Sequence, residues 1–320
     1  MLEQYILPFP KVVRIEPSSS CNLACSHCPT GTIKMQRGIM SPETFDIVFE
    51  NIKKNIDSIN VVVLYHGGEP LLNKNFAKIV RRIKDLGIPF VKSVSNGMLM
   101  NQSVIDDIID SNLDVIEFSL DGDSSGTSDF VRRNCDYGKV VANVKALIDS
   151  KIAKKSDKPR VFISNTQFLS PEFPQAGQLL NSAIPKTPSY LLKEFSGKYA
   201  EEVSFKCTWA MRWPHIEIDE AIYGLYYHSP DEESKSYCDH TENTITVRWN
   251  GDIVACCYDL TSKEVLGNVN EDALEKIWNN DNYLNLRRSI DKKQFTELCN
   301  NCNVVKPAVY LTLKKAVVLD

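Results

Sequence analysis

The sequence predicts an α/β chain: a partial (β/α)6 barrel followed by a small domain made of a β-hairpin and helices. Three observations carry this expectation. Between residues 11 and 196, short β-branched runs alternate six times with amphipathic stretches, the pattern of βα units around a parallel sheet. The rhythm breaks near Gly197. Beyond it, the dipeptide Asn250-Gly251, suited to the positive φ angles of a tight turn, separates two short β-rich runs.

In order, the expected strands are 12–15, 61–65, 90–95, 115–120, 161–165 and 190–195. The intervening helices are expected at 42–54, 75–86, 103–111, 137–151 and 171–182, several with a Ser, Asn or Asp near the start that can cap them. Six units rather than eight predict an open barrel. The lysines of 151–158 read as a solvated helix end. Residues 197–237 read as an irregular connector with some helix, containing Trp209, Trp213 and an acidic stretch at 231–233. Runs 244–249 and 252–257 form the hairpin, and helices at 272–278 and 283–289 follow before a closing pair of cysteines. The expected division is therefore a barrel over 1–196, a connector over 197–237 and a small domain over 238–320.

Composition narrows the function classes. With 43% apolar residues, 24% charged residues and a formal charge of −4, the chain reads as an ordinary globular protein, with no nucleic-acid partner implied. It holds no run near the roughly 18 apolar residues of a membrane span and opens without the features of a signal peptide, so no membrane partner and a cytoplasmic location are expected. Ten cysteines without a secretion signal then argue for metal binding or thiol chemistry.

Cys21, Cys25 and Cys28, in CNLACSHC, follow the first strand directly. Loops after the strands build the active site in parallel barrels, so three thiolates there can face one cavity. Three can hold three irons of a cubane and leave the fourth open, whereas a closed electron-transfer cluster normally takes four. A structural zinc site is the rival and needs a fourth ligand. This Cys-x3-Cys-x2-Cys loop resembles the signature of the radical S-adenosylmethionine (SAM) superfamily. The resemblance implies a TIM-like partial barrel, a [4Fe–4S] cluster on the three cysteines, and SAM chelated to the open iron and cleaved reductively to a 5′-deoxyadenosyl radical. A flavodoxin or ferredoxin is the kind of external electron donor it implies.

Gly67-Gly68-Glu69-Pro70 after the second strand matches the family motif that engages the methionine amino group; its glycines permit close backbone approach and Glu69 supplies an acceptor. Asn96 after the third strand and Ser119 at the end of the fourth resemble segments lining the SAM pocket. Arg132 or Arg133 would meet the SAM carboxylate, a bidentate task suited to guanidinium. His27 would lie near the adenine or be a bystander, and Asn165 would contact the ribose or merely cap its strand.

Cys238, Cys256, Cys299 and Cys302 form a second set, able to complete a cubane or a tetrahedral zinc site. The stretch WNGDIVACCYDLTSKEVLGNV with CNNC resembles the SPASM family in its shortened Twitch form, which implies one auxiliary [4Fe–4S] cluster. Cys135, Cys207 and Cys257 remain. Most such thiols are small buried hydrophobes. Cys207 and then Cys257 are the candidates for a hydrogen-donating thiol of the kind some radical SAM epimerases use. The chain is similar to Twitch-containing aminocyclitol dehydrogenases and to those epimerases, which implies oxidation or epimerisation of a polar small molecule such as a sugar, aminocyclitol or nucleoside derivative. A ribosomal peptide is the alternative substrate, and a non-catalytic iron–sulfur electron-transfer protein the alternative of another class.

Overall fold

The computed structural model describes residues 2–170, 185–227 and 233–314. Six strands, β1 Val12–Ile15, β2 Val61–Val63, β3 Phe90–Ser95, β4 Val115–Ser119, β5 Arg160–Gln167 and β6 Val203–Trp209, pair in parallel in chain order. Helices cover their outer face. Ser41 caps Pro42–Lys54 by accepting from the Thr44 N–H, and Phe45, Val48 and Ile52 on one side of that helix are buried. Asn101 caps Gln102–Asp110, and Asp136 caps Tyr137–Lys154.

The sixth strand corrects the sequence reading. Residues 190–195 lie in a helix, Ser189–Glu194, and its flank buries Leu191 and Phe195, one helical turn apart. The strand is instead Val203–Trp209, beyond the expected barrel boundary at 196 and inside the expected connector. The helix expected at 171–182 lies outside the described residues, as do Asp231 and Glu232 of the acidic stretch.

The hairpin forms as expected, with β8 Thr244–Val247 antiparallel to β9 Asp252–Val254 and Gly251 at φ +90° in the turn. Its place was not foreseen. β8 lies parallel to β1, pairing Val12 with Thr244 through Ile15 with Val247, and β10 Val265–Asn268 adds to β9. One nine-stranded sheet therefore runs through both regions. A further ribbon, β7 Tyr223–Tyr227 against β11 Val309–Leu313, stands over the barrel mouth and buries Tyr223 and Leu311 beside Val131 and Ala210.

Candidate active site at the barrel mouth

The loop after β1 is folded back on itself. Cys28 N–H donates to the Cys25 carbonyl at 3.2 Å, and a Cβ on Gly31 would sit 2.4 Å from that same oxygen, so the chain closes only with glycine there. Ala24 and Ser26 N–H groups bond the carbonyls of Arg133 and Val131, fastening the loop across the barrel. Cys21, Cys25 and Cys28 line a cavity of about 410 Å³. Burial raises all three thiols, Cys25 to about 12, and the Cys28 sulfur adds to the cost of ionising Cys21 and Cys25. Thiolates in such a place need a bound cation to compensate them, so the donor set fits an iron cluster.

Gly67, Gly68 and Glu69 form the next wall. A Cβ on Gly68 would lie 2.3 Å from the Ser18 carbonyl, so the GGEP turn packs directly on the chain leading into the cysteine loop. Glu69 is buried and held by three donors: Leu71 N–H at 3.0 Å, Ser95 Oγ at 2.9 Å and Asn96 N–H at 2.7 Å. Burial raises its carboxyl, and those donors offset part of the rise. Asn96 also reaches Asn22 at 2.8 Å and lies 3.8 Å from the Cys21 sulfur.

The structure separates the two arginines. Arg132 lines the cavity, bonded to Asp121 at 2.6 Å; burial lowers its basicity, but Asp121 together with the Cys25 and Cys135 sulfurs raises it on balance. Arg133 is half-exposed and stands 3.8 Å from Asp219, away from the cavity. His27 lines the cavity, 3.4 Å from Asp121 and edge-on to Phe168. Ser119 lines it as well.

Asn165 departs from its expected place. Side chains alternate along β5, so Ser164 and Thr166 face the cavity while Asn165 turns away, donating to the Leu120 and Gly122 carbonyls at 2.6 and 2.8 Å. It pins the loop after β4. The same alternation on β6 puts Lys206 and Thr208 on the cavity and directs Cys207 outward, 3.7 Å from Thr187. Cys257 also stays off the cavity, packed against His240 at 3.7 Å.

Cys238, Cys256, Cys299 and Cys302 are buried. Burial, then the neighbouring sulfurs, raise Cys299 to about 12; burial and Cys238 raise Cys302 to about 11. The segment after Cys256 returns to the barrel, where Tyr258 and Leu260 line the cavity and Tyr258 packs on Trp213 and His240.

Several contributors escaped sequence reasoning. Glu16, fully buried at the end of β1, accepts from Gly67 N–H at 3.0 Å and contacts His66 at 3.3 Å with one oxygen; with the other it accepts from Arg248 Nε at 3.1 Å and Trp249 N–H at 3.2 Å. It joins the GGEP turn to the hairpin. Its only sequence signal is a carboxylate closing an apolar strand. Tyr65, Glu117, Lys206, Arg212 and the tryptophans 209 and 213 complete the cavity wall, and no motif marks them.

Comparison with known proteins agrees with this geometry. Residues 15–158 match the radical SAM superfamily, and residues 238–303 match SPASM, an iron–sulfur cluster-binding domain. A tungsten-containing aldehyde ferredoxin oxidoreductase cofactor-modifying protein of Pyrococcus furiosus is 24% identical over 317 residues, 92% of this chain and 87% of that protein. A GTP 3′,8-cyclase of Synechocystis is 29% identical over 127 residues, 38% of this chain and only 37% of the cyclase. Among solved structures, BtrN with AdoMet and 2-DOIA shares the fold at TM-score 0.58 and 17% identity, covering 93% of this chain and 94% of BtrN. The AdoMet-bound anSMEcpe does so at 0.59 and 14%, covering 91% and 88%.

Proposed function

Since the chain belongs to the radical SAM superfamily and carries a SPASM cluster-binding domain, we propose that it oxidises a polar small molecule by abstraction of a hydrogen atom. Cys21, Cys25 and Cys28 would hold the [4Fe–4S] cluster, and Gly67, Gly68, Glu69, Asn96, Ser119, Arg132 and His27 would hold SAM. Bound and reduced, that pair supplies a 5′-deoxyadenosyl radical for hydrogen abstraction.

The observation that carries the reading is the shared cavity. Three cysteines from one loop meet the GGEP turn and the ends of β3 and β4 around a single space, and further polar side chains line what remains. Glu69 and Arg132 are buried and pre-bonded, so they offer a fixed acceptor and a fixed cation to a zwitterionic methionine end. Trp209, Trp213 and Tyr258 help exclude water from the other end.

Oxidation is favoured over epimerisation because, among the described residues, the cavity holds no cysteine beyond the three assigned to the cluster. Neither Cys207 nor Cys257 is placed to return a hydrogen atom to a substrate. The alternative fate of a substrate radical is to lose a proton and an electron, and the auxiliary domain reaches the cavity through Tyr258, two residues from Cys256. We assign one auxiliary [4Fe–4S] cluster to Cys238, Cys256, Cys299 and Cys302. Four thiolates can complete a cubane or a tetrahedral zinc site, and the match of residues 238–303 to an iron–sulfur cluster-binding domain favours the cubane. A flavodoxin or ferredoxin would supply the first electron.

Iron, sulfide and zinc measured after anaerobic reconstitution test this reading. Two cubanes predict roughly eight irons in the wild type, falling to about four when Cys21, Cys25 and Cys28 are replaced by Ala. Deoxyadenosine should form under a strong reductant in the wild type alone. Four irons falling to none, with one zinc throughout, would remove the auxiliary route to oxidation.

A further inference from the structure

We propose that the half of the cavity away from the cysteines recognises an anionic group, a carboxylate or a phosphate, on the substrate. This deepens the radical SAM reading, on which it rests for the cavity's purpose.

The inference comes from the balance of charges around that space. Glu117 on β4 faces two lysines: Lys92 on β3 at 3.1 Å and Lys206 on β6 at 3.8 Å. Lys92 holds one carboxylate oxygen closely, so Lys206, on the other, is left as the looser partner; it lines the cavity and about half of its side chain is exposed. Strand register puts Lys206 opposite Ser164, and Ser164 opposite Ser119, so this ammonium lies level with a side chain assigned to SAM. Arg212 lines the same space. Its Nε donates to the Ile216 carbonyl at 3.3 Å, and no carboxylate among the described residues pairs with its guanidinium. Outside the cavity lining, Arg14 stacks over Tyr65, 5.0 Å from the ring centre; its Nη1 donates to the Tyr65 carbonyl at 3.4 Å and its Nε is buried without a partner.

The remaining carboxylates cannot balance these cations. Glu69 is occupied by Ser95, Asn96 and Leu71, and Asp121 by Arg132 and His27. The substrate end therefore carries a surplus of positive charge beside Trp209, Trp213 and Tyr258. Aromatic walls lower the local dielectric, which strengthens attraction to an anion and repulsion of an amine. Arg212 supplies a planar fork and Lys206 a point charge, the pair of donors suited to carboxylate or phosphate oxygens.

The test is equilibrium binding to the anaerobically reconstituted, SAM-loaded protein. The probes are inorganic phosphate, glucose 6-phosphate, glucuronate, glucose and glucosamine. The phosphate and carboxylate probes should bind, and their ranking separates the two sources of negative charge; glucose and glucosamine should bind far more weakly. Lys206→Gln and Arg212→Gln should each weaken the anionic probes roughly tenfold or more. Lys206→Arg should restore most of the loss, and iron content checks that each variant is folded. Glucosamine binding as tightly as glucose 6-phosphate, or no anionic probe binding at all, would overturn the proposal. So would an Arg212→Gln variant that loses SAM affinity but keeps its affinity for anions. A protein that binds anions as expected yet forms no deoxyadenosine under a strong reductant would instead sink the radical reading and leave the anion site standing.

Discussion

At the scale of single residues, Glu16 binds together more of the site than any residue that sequence reasoning singled out. Burial alone would raise its carboxyl, but His66, Arg248 and the Trp249 N–H overcome that and bring it from 4.5 to about 2. A carboxyl lowered in the folded state contributes stability that is complete above the ordinary value and disappears as pH falls through the lowered one. The shift corresponds to roughly 3 kcal/mol. Glu16→Gln should therefore lose about 3 kcal/mol or more in urea unfolding at pH 7, since it also leaves the Arg248 charge buried and unpaired. The gap from wild type should be unchanged at pH 5 and narrow only below about 4.5, towards 2. A gap that had already closed at pH 5 would refute this account. Because the amide keeps only one acceptor oxygen, either Gly67 N–H or the Arg248 and Trp249 donors lose their partner, and the same variant should also bind SAM more weakly in equilibrium dialysis.

At the scale of elements, strand alternation decides which chemistry is available. On β6 the cavity receives Lys206 and Thr208, so Cys207 faces Thr187 on the outer side. Cys207→Ala should keep deoxyadenosine formation and the product distribution of the wild type; a variant that abolished product while still cleaving SAM would restore the thiol as a hydrogen donor. The first five strands were legible because each is a compact β-branched run beside a turn or cap. β6 was not. VSFKCTW is half-exposed along its length and mixes polar with apolar residues, whereas YLLKEF has the denser apolar content but places Leu191 and Phe195 at helical spacing. The meeting of Cys21, Cys25, Cys28 and GGEP at one cavity was legible for the opposite reason, since these residues fall in two short motifs that directly follow strands. Glu117, Lys206 and Arg212 are scattered over almost a hundred residues, and only the register of a folded sheet brings them to one cavity.

At the scale of the molecule, the two regions read from sequence as successive domains share one sheet. β8 of the cluster-binding region lies against β1, and β1 carries the loop that holds the first three cysteines. Trp278 is fully buried and donates its indole N–H to the Pro8 carbonyl at 2.8 Å; Arg287 Nη1 reaches the Tyr5 carbonyl at 3.0 Å. The start of the chain is thus held by its last third. Removing residues 238–320 would uncover the edge of β1 with its row of unpaired backbone groups and leave the Glu16 carboxylate without Arg248 or the Trp249 N–H. A chain ending at 237 should therefore aggregate on expression rather than yield a free barrel, and the intact, iron-loaded protein should unfold in one calorimetric transition. Soluble 1–237 that still bound SAM, or two separate transitions in the full chain, would show that the barrel stands alone. The single-sheet arrangement predicts the reverse, because β8, whose hairpin partner β9 leads into Cys256, also covers the strand that leads into the first three cysteines.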